Sequence, residues 1–386
     1  MRILKSLALA ALLATPALAE TPGVSDDEIK LGGGHDLSGI FAPFSVPAVN
    51  AAKAYFDEIN ANGGVHGRKI TYIVEDHGYQ VPKAVQAANK LINRDEVFAM
   101  LLSLGTPHNL AMFQLMEPKG VPNVSPLTAA RQMVEPFASW KFAGTSSYYE
   151  GTVAAIRFMA ESEGTKKVCI MILPTDFGKE IEAGVKQLAE EGVVEVGIEI
   201  GHKPDETDFS GALGKVKDSG CDTVAAALGV SQTINAITTA RKLGMADLKF
   251  YLSSAGFHTV VAKGLAAQGV MDGVYAGAGW QDLEARVSEP AVAEWIAQYK
   301  AATGEDYPGT GALLGRSAAQ LMVEALKAAG PDLTRESFIA AMEQLDYDDP
   351  ISANHVDFSA TDHVGADEVF VSRIENGSWV LVSQTN

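Results

Sequence analysis

The chain is poor in cysteine, in positive charge and in long apolar runs, and each scarcity narrows what it can be. Two cysteines, Cys169 and Cys221, in 386 residues are too few for a small disulfide-stapled framework. Lys and Arg number 30 against 48 Asp and Glu, for a formal net charge of −18, which disfavours nucleic acid and anionic membrane surfaces as partners. No stretch reaches the ~20 consecutive apolar residues that a bilayer span requires. Reaction signatures are missing too: there is no Gly-x-Ser-x-Gly elbow, no His-Glu-x-x-His and no Walker-type loop. Glycines 309, 311 and 315 follow no apolar strand, so they predict a helix starting close to its neighbours and not a nucleotide loop. The eight histidines are scattered. His355 and His363 lack metal spacing, and hydrogen-bonded surface positions are expected for them. Neither a cofactor nor a metal is expected.

What is present is a globular composition, 47% hydrophobic and 20% charged, at a length that allows two separate cores. Residues 1–19 read as a secretory signal. Arg2 and Lys5 precede an apolar run from Leu7 to Ala14, and Ala17-Leu18-Ala19 forms a small-x-small cleavage site before Glu20. Cleavage there removes two positive charges, taking −18 to −20, and predicts an exported, periplasmic protein. Cys169 falls inside an apolar strand and Cys221 just before another. Two packed thiols are the expected state; a bridge stays open to them, because burial alone does not set the Cα separation.

Residues 37–76 set the pattern for the rest. Ala48, Ala52, Tyr55, Phe56 and Ile59 recur at helical spacing, with Pro47 where a first turn tolerates a missing N–H. Asn62-Gly63-Gly64 ends that helix, and Ile70 to Val74 runs on as a buried strand. Strands at Ile29–Gly32, Val97–Leu102 and Val121–Val124 alternate with helices at Ala84–Ile92 and Thr106–Glu117, Thr106-Pro107 giving the cap and first-turn signal for the latter. The alternation restarts after Phe142, with strands at Val168–Leu173, Glu195–Ile200, Thr223–Leu228 and Phe250–Leu252. Two α/β halves with parallel sheets follow. A tail of different rhythm has helices near 290–303, 313–329 and 335–344, then a hairpin around Glu375-Asn376-Gly377.

The Leu37-Ser38-Gly39 loop, the run Ile59-Asn60-Ala61-Asn62-Gly63-Gly64-Val65-His66-Gly67-Arg68-Lys69 and Lys83-Ala84-Val85 together resemble the leucine/isoleucine/valine type of periplasmic solute-binding protein. Asp208-Phe209-Ser210 and Arg241-Lys242-Leu243-Gly244 extend the likeness to the second half. The resemblance implies the type I fold, two doubly wound Rossmann-like lobes joined by a three-segment hinge. The crossings fall near 142–149, 276–280 and 346–352. The lobes are then residues 20–145 with 279–350, and 146–278 with 351–386. It also implies a membrane permease of an ABC transporter as partner and a small-molecule ligand. That family carries a disulfide in the first lobe, where this chain has no cysteine.

In open parallel sheets ligands sit beyond the carboxyl ends of the strands, where helix N-termini offer unpaired N–H groups and favour a carboxylate. The loops at Ser38, at Thr106 and at Leu127, Thr128 and Ala129 meet that description, although Thr106 can equally be a plain helix cap. Tyr149 at the first crossing, Phe177, Gly229 and Ser254 are candidates for the opposite wall. By resemblance Thr106 takes the ligand carboxylate, Leu127 and Ala129 give backbone contacts, and Phe177 packs on the ligand. One departure matters: the family's amino-acid binders place an acid in the loop after the strand at 250–252, where this chain has Ser253-Ser254-Ala255-Gly256-Phe257-His258. An ammonium buried without a counter-charge costs several kcal/mol. A hydrophobic or aromatic carboxylate or a small amide is therefore expected over an amino acid, unless Glu150 or Asp176 substitutes. Adjacent Glu75 and Asp76 face opposite ways at a strand end and are expected as a solvated loop edge. Two rival readings are a ligand-sensing module of the same fold for a receptor and a secreted hydrolase.

Overall fold

In the computed structural model, residues 21–385 are described; the expected signal at 1–19 lies outside them. The chain runs β1 (Glu28–His35), α1 (Ala42–Ala61), β2 (Lys69–Asp76), α2 (Val81–Asn93), β3 (Ala99–Leu101), α3 (Thr106–Met116), β4 (Asn123–Val124) and β5 (Lys141–Phe142). These strands form one parallel sheet in the order β2-β1-β3-β4-β5. The second half runs α4 (Tyr148–Glu163), β6 (Lys167–Ile172), α5 (Asp176–Glu190), β7 (Glu195–Gly201), α6 (Ser210–Asp218), β8 (Thr223–Ala227), α7 (Val230–Lys242), β9 (Lys249–Leu252), α8 (Thr259–Lys263) and β10 (Val274–Ala278). The tail adds α9 (Pro290–Thr303), α10 (Thr310–Ala329), α11 (Arg335–Met342), β11 (Asp346–Asp349), β12 (Asn354–Asp357), β13 (Val369–Glu375) and β14 (Ser378–Thr385). The second sheet has the order β14-β13-β10-β9-β8-β6-β7. The five strands from β10 to the β7 edge are parallel, and β13 and β14 close the other edge antiparallel. The two-lobed α/β architecture expected from the alternation is thus present. No described helix is long and apolar enough to cross a membrane.

Helix α10 belongs with the first sheet. Its glycines let two helix backbones touch: a Cβ on Gly311 would stand 2.3 Å from the Phe44 carbonyl oxygen, and one on Gly315 2.0 Å from that of Ala48. Only glycine permits that approach, as the sequence pattern implied. The segment after β12 also stays with the first lobe. Phe358 packs edge-on against Phe142 and His363 stacks on it at 4.0 Å, while Ala143 exchanges backbone hydrogen bonds with His363 and Gly365. We propose that the third crossing lies at residues 366–368, later than the expected 346–352, and that the lobes divide there.

Three local expectations are corrected. Helix α1 begins at Ala42, so Pro47 lies inside it and cannot donate to the carbonyl of Pro43. That carbonyl is instead met from the second lobe by His258 Nε2 at 3.2 Å. His258 Nδ1 accepts from the Val260 N–H, so the ring is neutral with its hydrogen on Nε2. Secondly, the histidines are mostly not at the surface: His35, His77, His108, His202, His258 and His363 are all buried. Thirdly, Cys169 and Cys221 are joined in a disulfide with a Cα separation of 5.8 Å: β6 pairs with β8, Cys169 lying opposite Val224, and Cys221 stands two residues before β8 begins, close enough to reach it.

Opening the disulfide frees a loop of 52 residues, so Cys221→Ala should lower the unfolding free energy by about 4 kcal/mol. Urea unfolding with and without reductant checks it: the wild type should shift and the variant should not. Burial holds His35 at about 3 and His77, His108 and His258 at about 4. Each binds fewer protons folded than unfolded between those values and 6.5, so stability is lost as pH is lowered through that window, by on the order of 1–2 kcal/mol per histidine at pH 5. Burial also raises Asp282, to about 6, as well as Asp36 and Asp367, and the Asp348 partner raises His355; these oppose the loss, but the four buried histidines carry the larger shifts. The urea midpoint should therefore drop from pH 7 to pH 5, and an unchanged midpoint contradicts these buried neutral rings.

Candidate ligand-binding cleft

The carboxyl ends of both sheets face one cavity of about 90 Å³, measured as room for the centre of a water molecule. One water needs about 10–15 Å³ of that measure, so the space suits a small organic guest. Its walls are mainly apolar. Phe41 and Tyr79 from the first lobe and Phe177 from the second line it, with Phe177 packed edge-on against Phe41 at 6.0 Å and against Tyr148 at 5.0 Å. No lysine, arginine or histidine is among the lining residues, so an anion held here rests on neutral donors and helix dipoles.

Those donors gather at the start of α3. Gly105, with φ 95°, occupies the cap position and Thr106 is the first helical residue, with no side-chain cap bond. The plain capping role is therefore not what its hydroxyl does. Thr106 Oγ1 lies 2.6 Å from Thr128 Oγ1, and Tyr148 comes in beside them. Burial raises the Tyr148 phenol, opposed by hydrogen bonds to Thr128 and the Ala129 backbone. Two hydroxyls, a phenol and the open end of α3 thus converge on one spot in the cavity wall.

Of the candidate residues, Thr106, Leu127, Thr128, Ala129, Phe177 and Ser254 line the cavity. Three do not. The Ser38 hydroxyl donates to Asp76 at 2.7 Å, and the same carboxylate accepts the N–H groups of Leu37 and Gly78. Asp76 is thus a clamp on the 37–39 loop and more than a solvated edge. Asp36 completes that clamp through the N–H groups of Gly39 and Phe41, which presents Phe41 to the cavity. Tyr149 is one residue out of phase with Tyr148 on α4, and its ring instead carries the Arg131 guanidinium at 3.9 Å. Gly229 caps α7 and lies against Ile40.

Several contributors left no mark in the sequence. Asp349 lines the cavity, but its carboxylate is taken up by the hydroxyls of Ser317 and Ser352 and the N–H of Ile351. Glu150 and Asp176 are not among the lining residues; Glu150 closes a capping box with Ser147, and Asp176 meets Lys179. Outside the cavity, Arg131 and Glu180 join the lobes: the guanidinium donates to both carboxylate oxygens at 3.0 and 3.1 Å, and the Arg131 N–H adds a third bond at 3.1 Å. Glu180 is 2% exposed, so this pair exists only with the lobes together. Thr259 N–H to Thr310 Oγ1 adds another link from one lobe to the other. Among the described residues no group of three or more His, Cys, Asp or Glu could hold a metal.

Comparison with known proteins agrees with this geometry. The model of the periplasmic binding protein family matches residues 28–378. An amino acid binding protein of Pseudomonas aeruginosa is 26% identical over 205 residues, 53% of this chain and 54% of that protein, so the matched stretch spans about half the relative's length. Among solved structures, a fatty acid ABC transporter substrate-binding protein from Thermomonospora curvata superposes with a TM-score of 0.84 at 24% identity, covering 94% of this chain and 93% of that one. A solute-binding protein of an R. palustris ABC transporter in complex with benzoate superposes with a TM-score of 0.81 at 20% identity, over 92% of this chain and 96% of its own. With two lobes closed over one cavity and a family match that runs almost end to end, the chain belongs to the periplasmic binding protein family, in its type I fold.

Proposed function

We propose that this chain is the substrate-binding component of an ABC transporter, working in the periplasm and capturing a small hydrophobic or aromatic carboxylate between its lobes for delivery to a membrane permease. The observation that carries the reading is the asymmetry of the cavity. At one place Thr106, Thr128 and the N-terminus of α3 offer donors to an anion. Elsewhere the wall is largely aromatic and aliphatic. The one lining carboxylate, Asp349, already has three donors, which leaves an ammonium without a dedicated counter-charge. An aromatic or aliphatic body fits the rings of Phe41, Tyr79 and Phe177, and the solved relative that holds benzoate is in keeping with that. The Arg131–Glu180 pair and the His258 bond to Pro43 then act as fasteners that form as the lobes meet.

Calorimetry with benzoate and with leucine tests the class: benzoate should bind and leucine should bind far more weakly, and the reverse order overturns the carboxylate reading. The double variant Thr106→Val, Thr128→Val replaces both partners of one hydrogen bond by groups of the same shape, so its Tm should hardly move while benzoate binding weakens about 10- to 100-fold. Unchanged affinity would remove the hydroxyls from the site. Glu180→Gln keeps the shape of the fastener and removes its charge, and should weaken the same ligand roughly tenfold by making the closed form harder to reach. Equal affinity in that variant would show that the pair contributes nothing to closure.

A further inference from the structure

Closure leaves three buried hydrogen-bonding atoms in the cavity wall without a protein partner: Ser125 Oγ, Thr145 Oγ1 and Trp280 Nε1. All three residues line the cavity, with Ser125 6% and Trp280 3% exposed. Buried polar groups in folded proteins are nearly always satisfied, so a cluster that the protein itself does not satisfy points to something that does. Ser125, at the end of β4, abuts the first crossing at Gly144, while Thr145 lies in that crossing and Trp280 in the second. A Cβ on Gly144 would stand 2.5 Å from Ser125 Oγ, and one on Gly279 2.0 Å from Thr145 Oγ1. Glycine at both positions is what leaves room for the two hydroxyls, and Trp280 follows Gly279 directly. Ser125 also holds a φ of 42°, in the left-handed region that a serine seldom adopts and that tends to be kept at functional positions.

We infer that Ser125, Thr145 and Trp280 form a second polar subsite in the cleft, one that takes a neutral oxygen, hydroxyl or carbonyl, carried by the ligand in addition to its carboxylate. The inference rests on the carboxylate reading above and narrows it to hydroxylated or oxo-bearing acids. Chemistry selects the group. An indole N–H can only donate, so its partner must accept, and an ammonium has no lone pair to offer. A second carboxylate would enter a wall with no cationic side chain and share it with the charge of Asp349. A hydroxyl satisfies all three positions, accepting from Trp280 and exchanging hydrogen bonds with the serine and threonine, each of which both donates and accepts.

The test is isothermal titration of the mature chain with benzoate, 3-hydroxybenzoate and 4-hydroxybenzoate, repeated on Ser125→Ala and Trp280→Phe. In the wild type at least one hydroxybenzoate should bind about tenfold or more tighter than benzoate. In each variant that ratio should fall to within about threefold of one, whatever the substitution does to benzoate itself. Equal affinities in the wild type, or a ratio that survives both substitutions, overturn the subsite and leave the carboxylate reading standing. If both variants weaken all three acids equally, these residues hold the carboxylate itself, and the subsite as described is again overturned. If none of the three acids binds the wild type, the carboxylate reading falls and the subsite falls with it.

Discussion

Shutting two lobes on each other buries polar groups, and every one of them must find a partner or destabilise the closed form. That requirement organises this structure. Glu180 is taken in by Arg131 from the other lobe, Thr310 by the Thr259 N–H, and the carbonyl of Pro43 by His258. The last is the plainest case of sequence making a demand that tertiary structure answers. Pro47 deletes one hydrogen bond inside α1, and the missing donor arrives from a loop more than 200 residues later, across the cleft. The groups that closure satisfies hold the lobes together. The groups it leaves for a guest define what the guest must be.

The same accounting separates residues that bind from residues that merely stand nearby. Ser38 donates its hydroxyl to Asp76 and Tyr149 turns its ring to Arg131; neither lines the cavity. Thr106 is different. Gly105 has taken over the cap position, which releases the threonine hydroxyl to meet Thr128 in the cavity wall. A cleft with no basic lining residue can still attract a carboxylate, because hydroxyls and a helix N-terminus stabilise negative charge without bringing a cation that would itself need desolvating.

Much of the architecture was legible in the residues, since alternating apolar strands and amphipathic helices leave few options besides parallel sheets with helices on both faces. The spacing of Gly311 and Gly315 announced close helix contact, and the structure shows it. What stayed hidden has physical reasons. The strand β5 is two residues long, too short for any periodicity, and β11 is Asp-Tyr-Asp-Asp, whose composition argues against a strand. The disulfide depended on which strands are neighbours, and the order β8-β6 comes from tertiary packing. Pro47 read as a helix start because a proline inside a helix needs an outside donor, and His258 is not foreseeable from the local pattern. Trp280 and Thr145 reach the cavity through the first two crossings, and Asp349 from the end of β11, and no local signal marks either course.

The central claim is that one guest engages backbone and side chains of both lobes at once. Hydrogen–deuterium exchange of the mature chain with and without saturating 4-hydroxybenzoate addresses it most directly, because it reads each loop separately. Simultaneous protection of residues 125–130 and 253–259 is the predicted result. Protection confined to one of these loops, or ligand binding with no change in either, would contradict it.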